Sequence, residues 1–279
     1  MFLQSGDTID VNGCTFTTGL SIRGPGGSLK KGPVLDSATI TVRNSIFPDS
    51  AAVFMDQCVF NRSSISFIGN HVSTTSTFQT TQVRFSNGTL FALQDHTQVG
   101  KGGVYFMSCD WDGGSELRMS NVTTVGIQNS NVRIEQSSFT DSRITIEQSK
   151  FDNEVRQTAT YCFLVYITPV VRTAITITDV ECYNRAHAFQ WYSPASSIKG
   201  STMSLNNVRS GGLRLFIDGS SLDDANVITA HNSTFTNGVS MTPSSSTPIG
   251  NRLPVVGNFS ATDCEIGGTF LVNKIFAPS

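Results

Sequence analysis

The sequence predicts an all-β fold: a right-handed parallel β-helix (β-solenoid) of about ten coils, with residues 1–279 forming a single domain. Three observations predict it. A short alternating strand followed by a polar corner and a large apolar residue recurs along the chain. The recurrence distance suits one turn of a three-sided coil. Charged residues make up only 14% of the chain, well below the roughly 25% of ordinary globular proteins, and Ser, Thr, Asn and Gly take their place.

The stretch Val125–Phe151, VGIQNSNVRIEQSSFTDSRITIEQSKF, displays the unit. Ile144 and Ile146 point one way while Thr145 and Glu147 point the other, which is strand periodicity. Gln148 and Ser149 stand where the chain must turn, a place that suits small polar side chains able to bond the local backbone. Phe151 then re-enters the core from the next side. Val132, Ile134 and Phe139 repeat the arrangement.

Taken in order, the first strand set opens at Ile9, Ile40, Ile65, Phe91, Leu117, Ile144, Ile175, Met203, Ile228 and Phe259, with steps by subtraction of 31, 25, 26, 26, 27, 31, 28, 25 and 31 residues. The closing apolar place holds Phe16, Phe47, Val72, Phe151, Cys182, Phe235 and Ile266, and departs from the pattern at Gln98, Thr124 and Ser210. A second set trails the first: Val53-Met55-Phe60, Phe78-Thr80-Phe85, Val104-Phe106-Trp111, Val132-Ile134-Phe139 and Phe163-Val165-Val170, closing at Phe270, Val272 and Ile275. A fixed period of this size marks a repeat architecture. About ten coils at the usual strand spacing give a stack on the order of 48 Å long. An antiparallel sandwich is the competing fold, but the Asn-Gly pairs at Asn12, Asn87 and Asn237 do not separate paired alternating runs as hairpin turns would.

Three irregular stretches are expected to project from the stack: Gly24–Pro33, Asp152–Thr160 and Pro243–Pro254. Loops of this kind often carry binding in solenoids. Neither end shows an amphipathic capping helix. A solenoid end exposes core and an unpaired strand edge, so the chain is expected to be a piece of a larger protein or to stack on neighbouring β-helix domains. The start, MFLQSGDTID, lacks the basic and apolar regions of a signal peptide.

Composition excludes some functions. A net charge of −2 argues against a phosphate-backbone partner, so no nucleic acid is expected. No apolar run reaches the 18 residues of a membrane-spanning helix, so no membrane insertion by this segment is expected. With no CxxC, a zinc site is not expected. Cys14 and Cys264 fall in one corner column, nine coils apart, and Cys58 and Cys109 in another, two coils apart, too far for a bridge. All six cysteines are expected as free thiols with no disulfides, Cys162 and Cys182 being the pair the register constrains least.

Chemical motifs are sparse. Asp110, Asp112 and Glu116 place oxygen ligands near glycines and form a candidate calcium site, though without full EF-hand spacing. Asp223-Asp224 could supply half of a carboxylate pair, and a polar corner is the competing reading. His96 sits in the small-residue corner column and reads as a structural histidine. Outward positions of the first set, Asp10, Thr41, Ser66, Ala92, Arg118, Thr145, Thr176, Ser204, Thr229 and Ser260, form a ladder rich in hydroxyls. Outward Phe54, Tyr105 and Leu164 of the second set form a candidate contact face. Candidate glycosylation sequons stand at Asn61, Asn87, Asn121, Asn232 and Asn258.

The units ITVRNSIF, VRIEQSSF, ITIEQSKF and ITAHNSTF, with Cys at the corner in IDVNGCTF, resemble the dispersed gene family surface proteins of trypanosomes. The resemblance covers most of the chain through a motif general to pectin-lyase-like β-helices. It implies a large cell-surface or extracellular glycoprotein with an adhesive role, and it transfers no catalytic residue. Of the polygalacturonase-type signature only Asp-Asp is present. The expectation is therefore a non-catalytic β-helix, without a required cofactor, that binds a glycan or protein. A polysaccharide lyase or glycoside hydrolase of the same fold, and a fibre or tailspike segment, are the alternatives.

Overall fold

The computed structural model describes residues 4–23, 34–49, 51–73, 77–100, 102–125, 130–151, 161–182, 189–193, 198–217, 226–242 and 257–272. Three of the expected loops, Gly24–Pro33, Asp152–Thr160 and Pro243–Pro254, lie outside these residues, as does Asp223-Asp224. Among the described residues the chain is all-β, and its strands stack in parallel as a β-solenoid. No described helix is long and apolar enough to cross a membrane.

Most coils begin with a strand of five or six residues on the first face, such as Thr39–Arg43 or Arg143–Glu147, and in two coils it runs on through the corner, as Ala174–Cys182 and Thr202–Ser210. It bends into a short spur, such as Ile46–Phe47 or Lys150–Phe151. It then crosses to a second face, such as Val53–Asp56, and a shorter third face, such as Val59–Asn61. Ten first-face strands and seven spurs make one 17-stranded sheet, the second face holds 10 strands, and the third holds 7. Complete three-sided turns thus number about seven among the described residues, fewer than the ten expected, because the third face is the shortest side and forms strand in fewer coils.

The register is continuous. Ile9, Ile40, Ile65, Phe91, Leu117, Ile144, Ile175, Met203, Ile228 and Phe259 are successive partners in one row. Gln98, Thr124 and Ser210, which break the apolar pattern, nevertheless keep their places in the spur row and are buried. Their neighbours above and below fix the register, because a one-residue slip would turn the inward side chains outward and the outward ones inward.

Why the chain turns where it does is visible in the dihedrals. The first corner is a left-handed residue in every coil: Gly13, Asn44, Gly69, Asp95, Asn121, Gln148, Asp179, Asn207, Asn232 and Asp263, with φ between 47° and 66°. Asn, Asp and Gly tolerate this region. The bend pulls the next backbone N–H out of the strand ladder, and the corner side chain one coil on recovers it. Ser45 Oγ accepts from Cys14 N at 3.3 Å, Ser149 Oγ from Val122 N at 3.1 Å, and Ser233 Oγ from Val208 N at 3.1 Å. The same Ser hydroxyls donate to the carbonyl two residues back, at 2.9, 2.7 and 2.8 Å. Cysteine copies half of this: Cys58 Sγ and Cys264 Sγ each lie 3.2 Å from that carbonyl. Where the column holds Ser its hydroxyl bonds the backbone of two coils at once, whereas Val122, Val180 and Val208 fill the same place with apolar side chains.

The interior is rich in stacked aromatic rings. Phe60, Phe85, Trp111 and Phe139 stack in consecutive coils of the third face, with ring centroids 6.0, 4.9 and 4.4 Å apart. Each such contact adds about 0.5–1.5 kcal/mol beyond area burial. The end coils differ. Val42 and Phe47 are fully buried, yet Ile9, Val11 and Phe16 of the first coil are only partly so, and Phe270 in the last is 53% exposed.

One expectation is overturned here. Cys162 and Cys182 form a disulfide, with Cα atoms 6.1 Å apart. Phe151 and Cys182 are register partners on adjacent spurs, and Cys162 Sγ lies 3.8 Å from the Phe151 carbonyl. The bridge thus joins consecutive coils across the seam between spur and second face. Column logic compares residues on one face and does not detect a pair that meets across a seam. Cys14, Cys58, Cys109 and Cys264 are in no disulfide, and burial pushes the Cys109 thiol up to about 12.

Candidate functional site

The second face carries the sequence-predicted contact residues. Phe54, Gln79, Tyr105, Arg133, Leu164 and Gln190 are consecutive partners in one outward row. Two of the three candidates, Phe54 and Tyr105, are half-buried and stand two coils apart, about 10 Å at ordinary strand spacing. The third, Leu164, is only 8% exposed, so it does not offer an open contact and the accessible stripe stops short of it.

Chemistry along the stripe alternates. The Arg23 guanidinium carbon lies 5.0 Å from the centroid of the Phe54 ring, a cation–π arrangement at the lower end. Gln79 Nε2 donates to Thr81 Oγ1 at 3.1 Å. Burial pushes the Tyr105 hydroxyl above its ordinary titration range, partly offset by the nearby Arg133 charge. Arg133 pairs with Glu135 at 2.6 Å, while its buried Nε has no hydrogen-bond partner. An aromatic face, a phenol, an amide and a guanidinium thus share one outward row.

A second feature follows the first corner and its spurs. Gln148, Ser149, Lys150, Asp179, Glu181, Asn207 and Arg209 line an open groove of about 440 Å³. Lys150, Glu181 and Arg209 are successive register partners, so charge alternates along its wall. Arg209 Nη1 lies 3.9 Å from Glu181 Oε1, and Asn207 Nδ2 donates to Asp179 Oδ1 at 2.7 Å.

The candidate calcium ligands are separately engaged. Asp110 Oδ1 accepts from the Ser138 hydroxyl. Asp112 Oδ2 accepts from Arg84 Nε at 2.9 Å. Glu116 Oε1 accepts from Arg118 Nε and Thr145 Oγ1, both at 2.9 Å. Among the described residues no three His, Cys, Asp or Glu side chains come together to hold a metal ion. The three carboxylates therefore do not form the expected ligand set. The hydroxyl ladder of the first face is in register as read from the sequence, from Asp10 through Thr41 and Ser66 to Ser260.

Cross-coil ion pairs line another edge. Arg62 bonds Asp36, Arg84 bonds Asp112 and Arg172 bonds Asp141. Hydrogen bonding to Arg62 and Arg172 holds the Asp36 and Asp141 carboxyls below the usual carboxylate range. Sequence reasoning missed these pairs, although an acid and an Arg one coil apart was a readable signal. The sequon residues fall mainly at corners. Asn87, Asn121 and Asn232 are left-handed corner residues, and Asn258 lies in the strand Gly257–Thr262. The amide nitrogens of Asn61, Asn87 and Asn121 donate to Asp36, Asn61 and Asp95, at 2.8, 2.6 and 2.7 Å.

No protein-family model matches the chain, and no curated protein matches it in sequence.

Proposed function

We propose that this chain is a non-catalytic, extracellular or cell-surface β-solenoid that binds a glycan or protein ligand along the second-face stripe. The observation that carries the reading is the row Phe54–Gln79–Tyr105–Arg133. An aromatic face accepts the C–H face of a sugar, and amide and guanidinium donors take its hydroxyl and carboxylate oxygens. The aromatic spacing of about 10 Å is on the scale of a disaccharide unit. The Cys162–Cys182 bridge supports an oxidising compartment. The trypanosome-like repeats favour the same setting, with glycosylation at the sequons.

The test is binding of the purified chain to an array of neutral and acidic glycans and matrix proteins. Tyr105→Ala and Arg133→Ala should each weaken capture at least tenfold without changing the circular dichroism spectrum. Unchanged binding by both variants sinks the stripe as the site.

A second reading, a polysaccharide lyase or hydrolase, is favoured by one feature, the charged groove at Lys150, Glu181 and Arg209. Release of unsaturated products or new reducing ends from acidic polysaccharides, abolished by Lys150→Ala, would replace the adhesive reading with this one.

A further inference from the structure

We propose that the core holds a buried water-binding chamber two coils tall, lined by His96, Gln98, Thr124 and Asn131 where the spurs meet the second face. Three observations carry it.

The first is a concentration of orphaned polar groups. His96, Thr124 and Asn131 are buried, yet both ring nitrogens of His96, Thr124 Oγ1 and both amide atoms of Asn131 have no hydrogen-bond partner within the protein. A buried polar group left unpaired is costly to the fold. Other buried amides of this solenoid are bonded at both ends. Asn70 Oδ1 accepts from Ser45 N and its Nδ2 donates to Val42 O, both at 2.9 Å. Asn226 Oδ1 accepts from Ser201 N at 3.1 Å and its Nδ2 donates to Ile198 O at 2.8 Å. Asn131 departs from that rule.

The second is that the register brings these groups together. Gln98 and Thr124 are spur partners in the coils that open at Phe91 and Leu117. Val104 and Val132 are second-face partners in the same two coils, so Gly103 and Asn131, which precede them, also stand one above the other. Gln98 Nε2 reaches across the seam to the Gly103 carbonyl at 3.3 Å, and the same geometry one coil on sets Thr124 beside Asn131. His96 joins from the corner. Its ring packs edge-on against Phe78, whose backbone N–H donates to that Gly103 carbonyl at 3.0 Å. The chamber is bounded below by Val72, the partner of Gln98, and above by Phe151, the partner of Thr124. Tyr161 and Phe163 pair with Ser130 and Val132, so Cys162 stands above Asn131. Cys162 turns toward the spurs to bond Cys182, which shows where side chains of this column look.

The third is the mixture of donors and acceptors. Asn131 presents a carbonyl and an amino group, Thr124 a hydroxyl, and a neutral imidazole one donor and one acceptor. A cation would be set against the amide protons and the ring N–H, and an anion against Asn131 Oδ1 and the bare ring nitrogen. Water both donates and accepts, so it answers every one of these atoms. At about three bonds per buried water, the five orphaned atoms suit roughly two. The breaks in the apolar pattern at Gln98 and Thr124 are then the lining of a site.

The experiment uses the 279-residue chain. Oxygen-17 relaxation dispersion of the solvent detects waters held long enough to tumble with the protein. Thr124→Val combined with Asn131→Leu should remove part of the amplitude given by the unaltered chain, and an unchanged amplitude overturns the proposal. Urea unfolding gives an independent sign. Valine has nearly the volume of threonine, so the swap chiefly deletes the hydroxyl. With water bonded there, Thr124→Val lowers the midpoint. An equal or higher midpoint, the outcome for a hydroxyl buried without water, overturns the proposal. A crystal structure of the unaltered chain needs no variant to fold. It should show ordered solvent density within hydrogen-bond distance of Thr124 Oγ1 and the Asn131 amide, and side chains closed on one another with no such density overturn the proposal.

Discussion

Gly238 lies so close to Thr269 of the next coil that a Cβ on it would fall 2.1 Å from the Thr269 carbonyl oxygen. Its φ of 98° is a conformation that side chains disfavour. The short link from spur to second face in this coil depends on that closeness.

Gly238→Ala is therefore expected to loosen the last two coils. Backbone strain alone costs about 1–3 kcal/mol, and the clash is with backbone, which cannot rotate away. Hydrogen exchange should rise in Gly257–Thr262 and Thr269–Val272 and stay unchanged near Phe91.

Removing the disulfide should destabilise the middle of the stack. Closing a loop of sequence separation 20 is worth about 3 kcal/mol on chain-entropy grounds. Cys162→Ser with Cys182→Ser, or reduction of the native chain, should lower the melting temperature by several degrees. An unaltered melting curve on reduction would show the link to be energetically silent.

His96 sets a pH dependence. Its ring is buried, both nitrogens lack a partner in hydrogen-bond geometry, and Phe78 packs against it edge-on with centroids 6.1 Å apart. Burial lowers its pKa from 6.5 to about 4; the neighbouring Gln98 favours the charged form and His71 opposes it. The folded pKa is below the unfolded one, so between them the unfolded chain binds more protons. Stability is then lost as pH falls through 6.5 and levels off near 4, by about 3 kcal/mol in total. His96→Val, the residue type at Val122 in the same column, should flatten this slope. Urea midpoints at pH 7.5 and 4.5 for both proteins measure it.

Ser63→Ala tests the corner bonds. Ser63 Oγ accepts from Ala38 N at 3.0 Å and lies 2.9 Å from the Asn61 carbonyl. The substitution leaves a buried N–H unpaired and should cost about 1–3 kcal/mol, read from the shift in urea midpoint. Ser63→Thr should restore most of it, since Thr173 occupies the equivalent corner.

Much of this fold was legible in the residues themselves. The alternation at Ile144 and Ile146 and the return at Phe151 recur on a coil-length spacing, and inward rows leave that mark because stacking forces like onto like. The polar intrusions at Gln98 and Thr124 looked like breaks, yet neighbours in adjacent coils hold them inward. What stayed hidden depends on distances across the coil. The Cys162–Cys182 bridge crosses a seam between faces. The burial of Leu164 is not encoded in its own strand pattern. The contact stripe was largely readable, since Phe54, Tyr105 and Arg133 each stand between two inward residues of the second set, but the cation–π contact of Arg23 with Phe54 was not.

The rungs between coils run along the axis, so tension between the two tips would be carried one winding at a time, and the molecule would peel rather than snap. The covalent tie between Phe163's strand and the winding above it acts as a rip-stop: a tear begun at either tip has to halt there, leaving the remaining windings as a folded reserve.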